Sequence, residues 1–395
     1  MKLFIAICLL TFFLSAHAYA DILTRQELSD GIINKGDYTR LWKVMEKAAS
    51  GEPILFCVIG GSVTEGAGAT SWETAWGNHA YKWWRKNFPG TNITYKNIAI
   101  GATGSDFGAY RLPYHLALFT PDVVCVEYSV NDWGEMGNIG YEGVIRQCLS
   151  LPNRPAVVCV CHMNLQGVNN QEHHIKVIKY YDLPAVSIKN AVWDNCEAGA
   201  RDVKEIIADS VHPTDFGHAM LAELVAKDIF DKAKKTKPVK ISRVAHETLP
   251  EPLVTDALQY TKYYYPAFVR AKTSGWKQRT EKTEIISARD VYGSDWISAH
   301  PGSTLEFTVT GSVISVCYQR YTHGGGTITC YIDGKEIKTL DCDFSGGWGD
   351  YWATDYLATD LDNTEHTVTF VSGPNAHGGS DHTAVLTSVM TGGAK

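Results

Sequence analysis

Four short motifs place hydroxyl, imidazole, carboxylate and amide groups along the first part of the chain. In order, they are Gly60-Gly61-Ser62, residues 97–105, Tyr128-Ser129-Val130-Asn131-Asp132 and Asp209-Ser210-Val211-His212-Pro213. Nucleophilic acyl transfer needs a hydroxyl, a base beside it, a group that orients the base, and hydrogen-bond donors for the oxyanion. The four motifs together supply all of these groups, so they indicate a serine-dependent acyl-transfer site.

Ser62, His212 and Asp209 are the residues that we expect to perform this chemistry. Ser62 follows two glycines, which allow the backbone to turn sharply and to approach a ligand closely. His212 can accept the hydroxyl proton, and Asp209 is close enough in sequence to hold the other ring nitrogen. Each residue alone also has a structural interpretation, Asp209 as the cap of a turn and His212 as a packed side chain. The order of all four motifs favours catalysis.

Candidate oxyanion donors lie in the second and third motifs. Asn131 offers a side-chain amide, although Asn131-Asp132 could also be a loop-forming pair. The small-residue loop around Ala102 offers backbone N–H groups. Each donor of this kind stabilises the transition state by roughly 3–4 kcal/mol.

The elements predicted to position these motifs alternate between strand and helix. Apolar runs predict buried strands over residues 54–59, 93–100, 122–128, 156–161 and 185–188. Helical periods are found over residues 40–49, 72–88, 106–118, 141–149, 170–181 and 216–232. This alternation predicts a parallel sheet covered by helices on both faces, with its ligand site beyond the carboxyl ends of the strands.

The sequence pattern changes after residue 236. The proline-containing segment 237–255 predicts a linker, and residues 304–309 and 327–332 beyond it alternate strictly between polar and apolar. Asp333-Gly334 is typical of a tight hairpin. Many short strands with glycine turns predict an all-β jelly roll or sandwich. The aromatic residues of this part could form core or contact sugar rings: Trp348, Tyr351, Trp352 and Tyr356.

The N-terminal residues 1–20 combine Lys2, a short apolar run and small residues before Ala20, which predicts a secretory signal peptide. We therefore expect an exported protein, in the periplasm, at the cell surface or in the medium. The apolar run is too short for a permanent membrane span, and no other stretch is long and apolar enough. The net charge of −7 argues against a nucleic acid partner.

The histidine and cysteine residues do not show the spacing of a metal site, so we expect no metal or cofactor. Neighbouring residues His173 and His174 lie on a predicted surface helix and would point in different directions. Cys161-His162 is expected to have a structural or substrate-contact role. Several of the ten cysteines lie in apolar runs, so we expect few or no disulfides: Cys57, Cys125, Cys159 and Cys161.

The order of the four motifs resembles the SGNH (GDSL-type) hydrolase superfamily over about residues 50–232. The resemblance implies a three-layer α/β/α, flavodoxin-like catalytic domain over residues 21–236. It also implies that the β-sandwich over residues 256–395 is carbohydrate-binding-like.

By the same resemblance, Ser62 is the nucleophile, and Asp209 and His212 complete the triad. The oxyanion hole is assigned to Ser62, Ala102 and Asn131, with Gly101 or Gly104 as alternatives to Ala102. Two departures from the family pattern stand out. Gly61 replaces the aspartate of the usual Gly-Asp-Ser, and Ala102 replaces a glycine.

Exported members with an added β-sandwich resemble bacterial carbohydrate esterases. The resemblance therefore implies a secreted serine esterase that removes small acyl groups, acetyl above all, from a polysaccharide through an acyl-enzyme. Two alternatives stay open: a polysaccharide O-acyltransferase, and a glycan-binding protein with a degenerate hydrolase domain. A lipase is less favoured because the chain has no large apolar lid segment. The glycan, the role of the β domain and the oligomeric state are open.

Overall fold

The computed structural model describes residues 22–238, 240, 248–280 and 293–393. The predicted signal peptide and part of the predicted linker lie outside these residues. An N-terminal α/β domain is followed by a domain of antiparallel sheets, which confirms the predicted fold class. In the described segments, no helix has the length and apolar character needed to cross a membrane.

The first domain is built on a six-stranded sheet. Its strands are β1 (Ile32–Asn34), β2 (Ile54–Gly60), β3 (Ile93–Asn97), β4 (Val123–Glu127), β5 (Ala156–Cys161) and β6 (Ala185–Ser187). The sheet order is β1-β6-β5-β4-β2-β3, and β2 to β6 pair in parallel. The parallel strands thus follow the 2-1-3-4-5 order of flavodoxin-like folds. All residues of β4 and β5 are buried, as expected for strands covered on both faces.

Two strands differ from the sequence prediction. Strand β1 was not predicted, because three residues are too few to show a pattern; it pairs antiparallel with β6 at the edge of the sheet. Strand β3 ends at Asn97, three residues earlier than predicted. The Asn97 side chain donates to the carbonyl of Thr64 and accepts from the N–H of Ala99, so it turns the chain out of the sheet.

Helices cover this sheet. They are α1 (Arg25–Asp30), α2 (Thr39–Ala49), α3 (Ser62–Glu65), α4 (Trp76–Asn87), α5 (Ser105–Leu118), α6 (Gly137–Leu149), α7 (Gln171–Tyr180), α8 (Ile188–Glu197), α9 (Val203–Ile206), α10 (Asp215–Glu223) and α11 (Lys232–Thr236). The predicted stripe of α4 is core, since Trp76, Ala80 and Trp84 are fully buried. The helix predicted over residues 216–232 is interrupted by a π-helical segment, Leu224–Asp231.

The second domain contains two antiparallel sheets. Its strands are β7 (Thr261–Tyr264), β8 (Lys272–Ser274), β9 (Lys277–Thr280), β10 (Ser294–Ser298), β11 (Thr304–Gly311), β12 (Val313–Arg320), β13 (Thr327–Ile332), β14 (Lys335–Asp341), β15 (Tyr351–Ala358), β16 (Thr364–Gly373) and β17 (Ala384–Gly392). One sheet has the order β15-β12-β17-β10-β9, with β7 also paired to β17, and the other has the order β14-β13-β16-β11-β8. Asp333 and Gly334 both have positive φ in the β13–β14 hairpin, as the sequence predicted.

The two domains share one buried core. Side chains of α5 and α6 cluster with residues of the β domain, among them Cys317 and Met390. The hydroxyls of Tyr110 and Ser315 lie 2.8 Å apart across this contact. The β domain therefore packs directly on α5, the helix that begins just after the second sequence motif.

The chain segment before the β domain is held by one buried carboxylate. Glu142 of α6 accepts the backbone N–H groups of Leu253, Val254 and Thr255 at 2.6–3.0 Å, and the hydroxyl of Tyr181 at 2.6 Å. The carboxylate is fully buried, so these donors replace its hydration. This part of the predicted linker is accordingly fixed to the first domain.

Candidate active site

Ser62 stands at the carboxyl end of β2 and is the first residue of α3. The strand approaches its neighbour too closely for side chains here, because a β-carbon on Gly60 would lie 2.3 Å from the carbonyl oxygen of Glu127. The chain turns at Gly61 and presents the hydroxyl of Ser62, which lies 2.9 Å from Nε2 of His212. A hydroxyl and a possible base are thus within hydrogen-bond distance, although 150 residues separate them in sequence.

Asp209 holds the other side of the imidazole. Its Oδ2 lies 2.7 Å from Nδ1 of His212, and its Oδ1 accepts the backbone N–H groups of Val211 and His212 at 2.8 Å each. Partial burial tends to raise the pKa of Asp209, but these backbone hydrogen bonds and the bond to the ring outweigh it and lower the pKa to about 2. An ionised carboxylate accepts the Nδ1–H, which leaves Nε2 free to accept a proton from Ser62.

The loop after β3 lies against Ser62. A β-carbon on Gly101 would be 3.5 Å from Cβ of Ser62. The N–H of Gly101, however, donates to Oε2 of Glu65 at 2.9 Å, so it is not free for an oxyanion. The geometry therefore disfavours the Gly101 alternative.

Ala102 and Gly104 are the remaining candidates in this loop. Ala102 has a φ of 60°, the left-handed conformation that glycine adopts more easily, which explains why a glycine would fit the position. A β-carbon on Gly104 would lie 2.8 and 2.9 Å from carboxyl oxygens of Asp106 and Asp132. Two carboxyl groups therefore lie beside Gly104, which disfavours an oxyanion there, and Ala102 stays the expected donor.

Asn131 lies against the turn that carries the nucleophile. A β-carbon on Gly61 would be 2.2 Å from Oδ1 and 3.1 Å from Nδ2 of Asn131. The absence of a side chain at position 61 thus lets the amide reach this place. The first departure from the family pattern, glycine for aspartate, therefore has a packing reason in this chain.

Asp132 and His174 are site-supporting residues that the sequence analysis missed. The prediction of a surface position for His174 was wrong: its side chain is buried, stacked on Tyr141 with ring centroids 3.9 Å apart. Its Nε2 lies 2.9 Å from Oδ2 of Asp132, while Oδ1 of Asp132 accepts the N–H of Ser105 at 2.8 Å. Asp132 therefore ties the third motif to the second. The position of Asp132 next to Asn131 could have indicated its role at the site, but nothing in the sequence near His174 indicated that the two residues pair.

His162 has a structural role, one of the two that the sequence left open. The ring is fully buried, its Nε2 lies 2.9 Å from the carbonyl oxygen of Val211, and its backbone N–H donates to the hydroxyl of Ser129. Burial lowers the pKa of His162 to about 3, so the ring is neutral and donates to this carbonyl. It thereby supports the loop that carries Asp209 and His212.

A cavity of about 370 Å³ lies between the two domains, and Ala102 and Asn131 are among the residues that line it. Its walls combine rings and polar groups from both domains, chiefly Asp106, Trp133, Met136, Tyr318, Arg320, Tyr351, Asp355 and Tyr356. The aromatic residues singled out in the sequence are therefore divided. Tyr351 and Tyr356 line the cavity, Trp352 packs on the shared core, and Trp348 is 71 % exposed.

The described residues contain no cluster of three or more histidine, cysteine, aspartate or glutamate side chains suited to a metal ion. The nine cysteines in the described part of the chain are free thiols, and all except Cys196 are buried. The arrangement at Ser62 needs no further group for acyl transfer, because the base, the orienting carboxylate and the donors all come from the chain.

Comparisons with known proteins match both domains of the chain. The GDSL-like Lipase/Acylhydrolase family matches residues 58–220. A two-domain esterase (CEX) active on acetylated mannans is 28 % identical, with a TM-score of 0.85, over 93 % of this chain and 99 % of that chain. The structure of such an esterase co-crystallised with mannopentaose gives 28 % identity and a TM-score of 0.84, over 93 % and 98 %. No curated protein sequence matches. The family match over residues 58–220 and the similarity to this esterase across both domains identify the chain as a carboxylic ester hydrolase.

Proposed function

We propose that this protein is an exported carbohydrate acetylesterase that removes acetyl groups from a mannan. One observation carries the proposal: the hydrogen-bonded series Ser62–His212–Asp209 lies beside a cavity that both domains line with aromatic and polar side chains. Such a lining suits a sugar ring, which has apolar faces and polar edges. The similarity across both domains to an esterase active on acetylated mannans supports this substrate class.

In the proposed mechanism, Oγ of Ser62 attacks the acetyl carbonyl while Nε2 of His212 takes the hydroxyl proton. The carbonyl oxygen becomes an oxyanion, which the N–H groups of Ser62 and Ala102 and the amide of Asn131 stabilise. His212 then returns its proton to the sugar oxygen, and the sugar leaves. A water molecule gives a proton to His212 and attacks the acetyl-enzyme, and acetate leaves as Ser62 regains its proton.

The β domain is assigned to substrate binding in this proposal. It supplies Tyr318, Arg320, Tyr351 and Tyr356 to the cavity, while the first domain supplies Trp133, which is 64 % exposed. A polymer chain laid across the cavity would place a ring next to Ala102 and Asn131. An ester group on that ring would then be near Ser62.

The test is acetate release from acetylated mannan, acetylated xylan and acetylated peptidoglycan, with 4-nitrophenyl acetate as a small ester. We expect release from mannan, and a loss of roughly 10⁴-fold or more in kcat for Ser62→Ala on every substrate. Ser29→Ala, on the exposed face of α1, is the matched control and should behave like the wild type.

Unchanged acetate release by Ser62→Ala would contradict the mechanism. Release from xylan or peptidoglycan without release from mannan would contradict the proposed substrate. Transfer of acetyl to an added oligosaccharide, with no free acetate, would identify an O-acyltransferase instead.

A further inference from the structure

Most polar groups that line the interdomain cavity already have hydrogen-bond partners within the protein. Asp132 is engaged by Ser105 and His174, as described above. Asp355 accepts the hydroxyl of Tyr318 at 3.0 Å and is paired with Lys338. The carboxylates of Asp132 and Asp355 therefore form part of the cavity wall, but their hydrogen bonds are made mainly within the protein.

Among the described residues, Oδ1 of Asn131 and Nε of Arg320 are unpaired atoms of lining residues, and two further lining residues, one from each domain, also keep unused capacity. The hydroxyl of Tyr356 is buried and, among the described residues, has no hydrogen-bond partner. Oδ1 of Asp106 accepts the N–H of Phe107 at 2.7 Å, and its second carboxyl oxygen has no partner within the described segments. Buried polar groups are nearly always paired, so an unpaired hydroxyl in a cavity wall suggests that a ligand completes it.

The two residues are held in place by different domains. Asp106 lies in the first turn of α5, directly after the loop of Ala102. Tyr356 lies in β15, opposite Ser315, and its ring packs against the core that both domains share. Ser315 is within hydrogen-bond distance of Tyr110, which lies in α5 like Asp106. This contact therefore fixes the strand of Tyr356 relative to the helix of Asp106.

We propose that Asp106 and Tyr356 form a recognition pair for a free hydroxyl of the glycan, next to the acetylated position. This inference rests on the proposed function. The carboxyl oxygen of Asp106 accepts a hydrogen bond from the sugar hydroxyl, and the hydroxyl of Tyr356 donates to the oxygen of the same group or its neighbour. Both residues determine specificity and do not touch the reacting atoms.

Acetylation of the recognised hydroxyl would remove the O–H group that donates to Asp106 and would add bulk between Asp106 and Tyr356. The pair therefore selects rings that carry an ester at one position and a free hydroxyl at the neighbouring one. A site that binds a substrate hydroxyl disfavours an analogue lacking it, because its polar groups are then left unpaired. We expect fast release of acetate from sparsely acetylated mannan and slower release from fully acetylated mannan.

Tyr356→Phe tests the pair by removing one hydroxyl and nothing else. The variant should have an unchanged or raised Tm, since the hydroxyl has no partner among the described residues. The KM for sparsely acetylated mannan should rise about 5- to 10-fold, the loss of roughly one hydrogen bond. The kcat/KM for 4-nitrophenyl acetate should stay within about 2-fold of the wild type. Asp106→Asn should likewise raise the KM for sparsely acetylated mannan and leave the kcat/KM for 4-nitrophenyl acetate close to that of the wild type.

Ser294→Ala is the matched control, because it removes another buried hydroxyl that has no partner in the described part of the chain and lies outside the cavity. It should leave the KM for mannan unchanged. The proposal is overturned if Tyr356→Phe keeps the wild-type KM for mannan, or if its kcat/KM for the small ester falls in parallel.

Direct binding separates this inference from the proposed function. Titration of mannopentaose into Ser62→Ala and into Ser62→Ala with Tyr356→Phe needs no hydrolysis. Weaker binding to the double variant by 5-fold or more supports the pair even if no acetylated glycan releases acetate. Equal binding to both variants overturns the pair even if mannan is the substrate.

Discussion

Gly61 and Asn131 are in direct contact: a β-carbon on the glycine would lie 2.2 Å from Oδ1 and 2.7 Å from Cγ of the asparagine. Heavy atoms do not approach this closely, so any side chain at position 61 must displace the amide. The proposed oxyanion donor and the glycine before the nucleophile therefore depend on each other. With Asn131 in this position, the aspartate of Gly-Asp-Ser would not fit at position 61 without a shift of the amide.

Gly61→Ala is expected to lower kcat on 4-nitrophenyl acetate about 10- to 100-fold, because it shifts an amide whose full loss costs roughly 10²–10³-fold. Steady-state kinetics would measure the change, with Tm recorded in parallel. Gly90→Ala is the control, since a β-carbon there would contact nothing within 4 Å. Wild-type kcat in Gly61→Ala would show that Asn131 is not a donor.

Ala102→Gly is expected to keep activity within about 3-fold of the wild type. Glycine retains the backbone N–H and adopts the φ of 60° more easily, so stability should be unchanged or raised by up to about 1 kcal/mol. Ala219→Gly, in the interior of α10, should instead destabilise the protein by about 0.5–1 kcal/mol. Urea unfolding and esterase kinetics would measure both effects. A marked destabilisation by Ala102→Gly would argue against the left-handed conformation.

Asp132→Asn is expected to lower kcat on the small ester about 10-fold or more with little change in KM. Asp132 touches no reacting atom, but it holds the second and third motifs together through Ser105 and His174. An interaction needed only in the transition state affects kcat rather than KM. Asp194→Asn, on the exposed face of α8, is the matched control. A rise in KM at constant kcat would show that Asp132 acts in substrate binding instead.

Glu142→Gln is expected to destabilise the protein by roughly 3 kcal/mol, because an amide oxygen cannot satisfy three backbone N–H groups and a hydroxyl. Denaturant unfolding, followed by fluorescence, would measure the loss. The exposed Glu172→Gln should leave the free energy of unfolding unchanged. Equal stability of both variants would mean that segment 253–255 is not held by this carboxylate.

Asp106→Asn is expected to change how stability depends on pH. Burial, and then the neighbouring Asp132, raise the pKa of Asp106 to about 7 in the folded protein. The folded state therefore binds more protons than the unfolded state between about pH 4 and pH 7, and the stability contributed by this group is lost as the pH rises through that window. Asparagine does not titrate, so the Tm of the variant relative to the wild type should be higher at pH 8 than at pH 4. Thermal unfolding at the two pH values would measure this difference, since 1 kcal/mol in the free energy of unfolding shifts the Tm by roughly 2–4 °C. A constant Tm difference would contradict the raised pKa.

The sequence by itself determined the elements and the order of the motifs. Strands β2 and β5 were predicted almost to the residue, because buried parallel strands leave continuous apolar runs. The alternation of β11 and β13 and the turn at Asp333-Gly334 were equally visible. These features depend on the local period of side chains and on backbone preferences, which neighbouring residues reveal. The candidate nucleophile was found for the same reason, since Ser62 follows β2, and the candidate carboxylate and base were found because Asp209 and His212 stand three residues apart shortly before the last predicted helix.

Only the tertiary structure decided how distant segments meet. The burial of His174 against Tyr141 and Asp132, the use of the Gly101 N–H by Glu65, and the contact between Gly61 and Asn131 join different loops. The cavity lined by Asp106 and Tyr356 is formed by residues of both domains. Contacts of this kind arise from packing of whole elements, and their free energy depends on distances that no local pattern contains. The sequence therefore predicted which groups could react, and the packing of the two domains decided what surrounds them.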